Sequence, residues 1–545
     1  MMRSMPFAAD IIVIIAYFAV IMGIGLSQRS KSGSVEGFAL GDRQIAWWAV
    51  LASILAAETS AGTFFGTPGE GYALRNYTYA QLAIGTVFAR LIVGLFFVPV
   101  FYKHNVVSIY EFLETRFGAR TRKMASLNFL VTRVLASGTR LWVPTILLVL
   151  LYPMITGEQP TPGQQFWLYA AALIFVTVMT VLYTASGGIR AVIWTDVIQV
   201  VVLFSALGFS IYYLLHAVNG WDGAKQFLKK ADDLKFYDPG KPDEGGGLWS
   251  WIKNVLESEY TIWAAFLGST FTTMATHGTD QDMVQRMLTA KNRRQSAFAT
   301  VISGLMDFPI VIAALTIGIL LYVYYQVNPD PLLPHVVENG VVKVKGSQVF
   351  PFFILKVMPA GLRGLVIAGV LATTMGSLST ALNSLATSFM RDFNAAFNHA
   401  DATDRQRVGL LKRSTFVFAA LLILVGLATA YVSAIHPEIR IIPIILGIFG
   451  YTYGSLLGIF LVGLFTKTRG NDYGNGIAMV AGFLVVMYLS GLDKDFMALF
   501  GANGLPRPAW FPTLEFPWRI MFGTITTVAV ALCFKSKAPV ADGAS

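Results

Sequence analysis

Three observations predict an all-α polytopic membrane protein. Of its 545 residues, 55% are hydrophobic and 13% charged, where a soluble domain carries roughly a quarter charged residues; the mean hydropathy is +0.60. Apolar runs long enough to cross a bilayer recur along the chain. Lys and Arg give a net charge of +10 and collect in alternate short loops between those runs. Such alternation reports membrane topology, not a nucleic-acid surface.

The runs fall at about 8–27, 45–66, 77–103, 122–153, 166–185, 190–216, 259–284, 294–325, 361–390, 410–434, 438–466, 474–492 and 518–535, which predicts about 13 transmembrane helices. The first run, Ala8 to Ser27, has full spanning length and no convincing cleavage site, so it reads as a retained helix. Basic residues follow the odd-numbered runs: Arg29, Lys31 and Arg43; Lys103, Arg116, Arg120, Arg122 and Lys123; Arg190; Arg286, Lys291, Arg293 and Arg294; Arg391, Arg405, Arg407, Lys412 and Arg413; Lys467 and Arg469; Lys535 and Lys537. This places the N-terminus outside and the C-terminus in the cytoplasm, in a cell inner (plasma) membrane. The loop 217–258 departs from the rule with six lysines, but it is long and also acidic, and Trp221–Leu234 reads as a short amphipathic stretch. The loop 326–360, with Pro329, Pro331, Pro334 and Gly340, is expected to cover an outer vestibule. The single cysteine, Cys533, excludes an intramolecular disulfide and any zinc or iron–sulfur spacing. The tail after Lys537 is short and small-residue rich, and is expected to be disordered.

The second run is interrupted by Ala56-Ala57-Glu58-Thr59-Ser60-Ala61-Gly62. These residues are costly against lipid. One reading is a kinked packing helix whose hydroxyls bond back to their own turn. The other is a helix that unwinds at membrane depth and frees carbonyls for a cation and its cargo. The ninth run carries Thr373, Ser377, Ser379 and Thr380, of which 373, 377 and 380 share a helical face. Packing through small residues explains this run as well as a hard-cation site does.

Charges at membrane depth are few. The acids are Glu58, Asp196 and Asp307; the bases are Arg90, Arg133 and Arg140; His277, Asp280 and Asp282 lie near one end of the seventh run. Equal numbers of acids and bases predict mutual pairing. Arg140 follows Ser137-Gly138-Thr139 in mid-helix, where a guanidinium either pairs structurally or forks onto a substrate carboxylate. Asp196 either caps the sixth helix or meets a cation leaving inward.

Several segments together resemble the sodium/solute symporter family, which includes sodium/glucose, proline and sialic-acid cotransporters. They are Trp47-Trp48-Ala49 with Ala56-Ala57-Glu58-Thr59-Ser60, Gly187 to Gln199, Thr279 to Arg286, and Ser377 to Ser384. The resemblance implies a leucine-transporter-type core of 5+5 inverted repeats. Its domains would be 1–44, an extra N-terminal helix and cytoplasmic loop; 45–216, the first repeat, with its outer loop to 258; 259–466, the second repeat; and 467–545, two C-terminal helices and the tail. The second and seventh helices would be the broken ones. Sodium would be held by the carbonyls of Ala56, Thr59 and Thr373 and the hydroxyl of Ser377; a second family hydroxyl falls on Gly376, which has none. Asp196, Ser379 and Thr380 fit a second sodium site. Substrate positions would be Ser60, Thr63, Gln81, Arg140, Thr273, Thr276 and His277. Sugar-type members place an amide near Thr273 and an aromatic gate near Thr276, which argues against a sugar gripped in their manner. Tyr451 and Tyr453 are weaker outer-gate candidates.

The function expected is sodium-coupled symport of a small organic solute, a sugar or a small carboxylate or amino acid, by alternating access. Na+, the solute and the bilayer are the partners; no nucleic acid and no obligate protein partner is inferred. A signalling relative would carry a cytoplasmic kinase extension, an enzyme would need a nucleophile–base pair or metal spacing, and a channel would need a repeated pore loop. Proton coupling through Glu58 is the rival for the ion.

Overall fold

A computed structural model describes residues 7–28, 33–240, 246–338, 341–399, 401–435, 441–498, 504–508 and 510–536. Arg29, Lys31, Lys241, Gly340, Lys537 and the tail lie outside the described residues. Among those described, eight helices are long and apolar enough to cross a membrane, and a bent pair makes a ninth.

The helices run in order as α1 (Ala8–Ser27), α2 (Trp47–Glu58), α3 (Ala61–Leu74), α4 (Thr78–Lys103), α5 (Ala119–Pro153), α6 (Pro162–Ala217), α7 (Ser269–Gly278), α8 (Gln281–Met287), α9 (Arg293–Val327), α10 (Leu362–Phe393), α11 (Asp404–Ile435), α12 (Ile441–Phe465), α13 (Gly474–Ser490) and α14 (Phe516–Leu532). Burial orders them. The apolar window of α10 is 78% buried, against 28% for α1 and 33% for α11, so α10 lies at the centre and the other two face lipid. Small residues let α10 sit there, because Gly369, Ala372, Gly376 and Ala381 admit neighbouring helices closely.

Two predicted runs, 166–185 and 190–216, merge into α6 across a joint at Gly188 (φ 58°, ψ −149°). A Cβ there would stand 2.4 Å from the Phe38 carbonyl oxygen, so both the backbone conformation and the space demand glycine. The second run extends further than predicted, to Leu74, through α2 and α3 bent by 64°.

The two long connections, 217–258 and 326–360, are more ordered than the sequence indicates. The stretch expected over Trp221–Leu234 is helical only at Gly220–Lys225. Its segment docks on the end of α3: Arg75 pairs with Asp233 at 2.8 Å, and the Tyr77 amide donates to the Lys235 carbonyl at 2.8 Å. The loop 326–360 holds an antiparallel hairpin, His335–Glu338 with Val341–Val344, then a helix, Gly346–Lys356. Phe350 of that helix packs on Phe64 and Phe65 of α3, with ring centroids 5.6 and 6.4 Å apart. This loop therefore covers α3.

Candidate functional site

The site starts from a helix that stops in mid-membrane. α2 ends at Glu58, Thr59 turns out of the helix (φ −79°, ψ 85°), and Ser60 caps α3 by accepting from the Thr63 amide at 3.4 Å. Ending a helix frees carbonyls in its last turn. A second stop lies between α7 and α8, where Asp280 caps α8 by accepting from the Asp282 amide at 2.9 Å. The first stop was legible as a polar break, and the second was implied by the family resemblance.

α10 faces the first break. A Cβ added at Gly376 would stand 3.3 Å from the Ala56 carbonyl oxygen and 2.7 Å from Gln199 Oε1. Gln199 is buried, and its amide atoms have no hydrogen-bond geometry with any described residue. The hydroxyls of α10 bond back along their own helix: Ser377 to the Thr373 and Thr374 carbonyls (3.0 and 3.1 Å), Ser379 to the Gly376 carbonyl (3.1 Å), Thr380 to the Gly376 and Ser377 carbonyls (3.0 and 3.1 Å). The structure thus brings Ala56 beside α10 at the residue lacking a hydroxyl, and adds a side-chain amide there that the sequence reading missed.

A cavity of about 10 Å³ borders the break, lined by Ser60, Arg133, Ser137, Arg140, Thr374 and Ser377 among others. Its two arginines differ. Arg133 pairs with Asp280 and, at 3.0 Å, with Asp282, and Tyr453 donates to Asp280 at 2.7 Å. Arg140 has no ion pair or hydrogen bond among the described residues; it stacks 4.9 Å over the Phe449 ring. The expected pairing therefore holds for Arg133 and not for Arg140. Tyr453 is fully buried in the Arg133 cluster, and Tyr451 accepts from Arg519 at 3.1 Å. Both hydroxyls are thus engaged in hydrogen bonds.

The other candidate residues scatter. Thr63 lines a second cavity with Glu58, Thr59 and Asp307. Gln81 is held away from both: its amide donates to the Thr78 and Tyr260 carbonyls (3.1 and 3.2 Å) and accepts from the Asp238 amide at 3.3 Å. It anchors the segment from Asp238 to Tyr260. Thr273 meets Thr86 at 3.3 Å, and Thr276 bonds the Thr272 carbonyl at 3.2 Å and His277 Nδ1 at 3.0 Å. His277 Nε2 lies 2.7 Å from Glu58 Oε1. Glu58 also pairs with Arg90, whose other amino group donates to Ser303 at 2.6 Å. Asp196 accepts from Ser53 at 2.5 Å and lies 3.5 Å from Arg286, with no bond to Ser379 or Thr380. Arg286, read as a loop cation, is instead fully buried.

The sequence matches the sodium:solute symporter family over residues 38–482. It is 28% identical to the sodium/sialic acid symporter NanT of Aliivibrio fischeri over 487 residues, covering 89% of this chain and 88% of that one. It is 28% identical to the mouse (Mus musculus) sodium-coupled monocarboxylate transporter 2, over 85% of this chain and 69% of that one. The fold is that of a Na+-coupled sialic acid symporter solved in a substrate-bound, outward-open state, with a TM-score of 0.76, 23% identity, and coverage of 96% and 97%. A nucleobase-cation-symport-1 family transporter shares it at a TM-score of 0.52 and 13% identity, over 92% and 94% of the chains. The broken α2–α3 helix, the apolar spans and these matches lead to one conclusion: this chain belongs to the sodium:solute symporter family and is a multi-pass, sodium-coupled transporter, not an enzyme.

Proposed function

We propose that this protein imports a small carboxylate-bearing organic solute with sodium by alternating access. The observation that carries the reading is Arg140. It lines the cavity at the broken helix with no acidic partner among the described residues, while the neighbouring Arg133 is neutralised. A free guanidinium at membrane depth favours a planar anion that accepts two hydrogen bonds. Relatives named for sialic acid and for monocarboxylates are consistent with such a cargo.

The cavity holds one water at about 10 Å³, so the helices around it must part to admit a solute. Sodium binds first, between the α2–α3 break and α10, on the carbonyls of Ala56, Thr59 and Thr373 and the hydroxyl of Ser377. Gln199 supplies the oxygen that Gly376 lacks. Residues 45–216 and 259–466 act as the two repeats, with the N-terminus outside and the C-terminus inside. Proton loading on Glu58 would remove the negative charge that pairs with Arg90, so sodium is the favoured ion.

The test is thermal stability in potassium buffer, with and without sodium, across sugars, amino acids and monocarboxylates. A ligand that binds only the folded protein raises its melting point. Stabilisation by carboxylates that requires sodium and is lost in Arg140→Ala supports the reading. Sodium-dependent stabilisation by neutral sugars alone refutes it.

A further inference from the structure

The α2–α3 break borders a second cavity with the opposite polarity. At about 30 Å³ it holds one or two water-sized species, too small for an organic solute. Its polar lining is Glu58, Thr59, Thr63, Thr67 and Asp307. On α9 the cavity takes residues 307, 310, 311 and 314, one helical face, so Asp307 points into the bundle rather than to lipid.

Asp307 has no ion pair or hydrogen bond among the described residues. Arg90 gives its hydrogen bonds to Glu58 and Ser303. Two further oxygens are also free. Glu58 Oε2 is buried without a hydrogen-bond partner. Thr59 is only 6% exposed, and its hydroxyl bonds to no described residue. Glu58 and Asp307 face one permanent cation, Arg90, with His277 neutral unless protonated. Uncompensated acid at membrane depth is expensive, and an oxygen-lined space of ionic size is what a hard cation requires.

We propose that this cavity is a further cation site, taking one small monovalent metal ion, sodium by preference, on Asp307 and Glu58 with the hydroxyls of Thr59, Thr63 and Thr67. It is separate from the carbonyl site at Ala56, Thr373 and Ser377, and from the set Asp196, Ser379 and Thr380. Thr59 joins it to the first: its carbonyl serves one site and its hydroxyl the other. The inference rests on sodium coupling but not on the carboxylate cargo.

The test therefore omits solute. Purified full-length protein in choline buffer is titrated with sodium chloride, and the melting point is followed for wild type, Ser377→Ala, Asp307→Asn and the double variant. The double variant should need at least tenfold more sodium than Ser377→Ala for half its stabilisation. Asp307→Asn alone should need at least tenfold more sodium for half its stabilisation. Asp307→Glu should recover most of the response. If Asp307→Asn does not fold, Thr67→Val removes one hydroxyl at nearly constant volume and should weaken the response several-fold. Superimposable sodium curves for Ser377→Ala and the double variant would overturn the proposal, as would an unchanged curve in Thr67→Val. A response of Asp307→Asn that differs from wild type in pH dependence and not in sodium dependence would also overturn it, in favour of a proton site. Failure of every carboxylate to stabilise the protein would refute the cargo reading and leave this result intact.

Discussion

Glu58 Oε1 and His277 Nε2 lie 2.7 Å apart, and each residue stands just before a break, one in α2–α3 and the other in α7–α8. The contact joins the end of α2 to the end of α7. Arg90 extends it by holding Glu58 against Ser303 of α9.

Removing one partner from a buried pair leaves a stranded charge, which costs about 3–5 kcal/mol. Glu58→Ala should strand Arg90 and lower the melting point sharply. Arg90→Ala should do the same. The double variant should melt above Arg90→Ala, because one acid, Asp307, is then left without a cation rather than two. A double-mutant cycle read by thermal unfolding checks this.

Arg140→Ala should weaken a carboxylate solute by about 10- to 100-fold, the worth of a hydrogen bond to a charged group. Sodium stabilisation without solute should be unchanged. Arg140→Lys keeps the charge but loses the fork, and should recover only part of the affinity. Solute titrations at saturating sodium measure both.

Ser377→Ala and Gln199→Ala should each raise the sodium needed for half-maximal uptake by about 3- to 10-fold, the range of one neutral ligand oxygen. Solute selectivity should stay the same. Gln199→Ala opens space beside Gly376, so Gly376→Ser in that background should return part of the sodium affinity. Initial uptake rates against sodium concentration decide the matter.

Gly188→Ala forces a φ of 58° on a residue with a Cβ and drives that carbon to 2.4 Å from the Phe38 carbonyl. Several kcal/mol of destabilisation should follow, seen as lost monodisperse yield and a lower melting point. Gly157→Ala has the same kind of backbone strain with open space around it, and should be mild.

The first break was legible because polar residues inside an apolar run have few other uses. Glu58-Thr59-Ser60 stands out by composition alone, and the break at Thr279-Asp280 was implied by the family resemblance. Partnership was not legible. Arg133 and Asp280 are 147 positions apart, and nothing local says that Asp280 and Asp282 neutralise Arg133 and leave Arg140 free. Arg286 was misread because it follows an apolar run, where a basic residue normally marks a loop; its depth comes from packing. Gln81 was a substrate position by family resemblance, and two of its partners, Tyr260 and Asp238, lie in the 217–260 region, whose fold hydropathy does not report. The joint at Gly188 read as a gap between two runs, because sequence shows the loss of apolar residues and not the continuity of the helix.

Both cavities border the α2–α3 break, one lined by Arg140 and the other by Asp307. Opposite unit charges about 10 Å apart attract by about 1.7 kcal/mol at an effective dielectric of ~20. An anionic solute in one chamber and a cation in the other would each bind about 15- to 20-fold more tightly with the other present. That cooperation is purely electrostatic and would operate even in a protein whose helices could not move. It adds to whatever a conformational change contributes, and it resists added salt because both charges sit in low-dielectric surroundings.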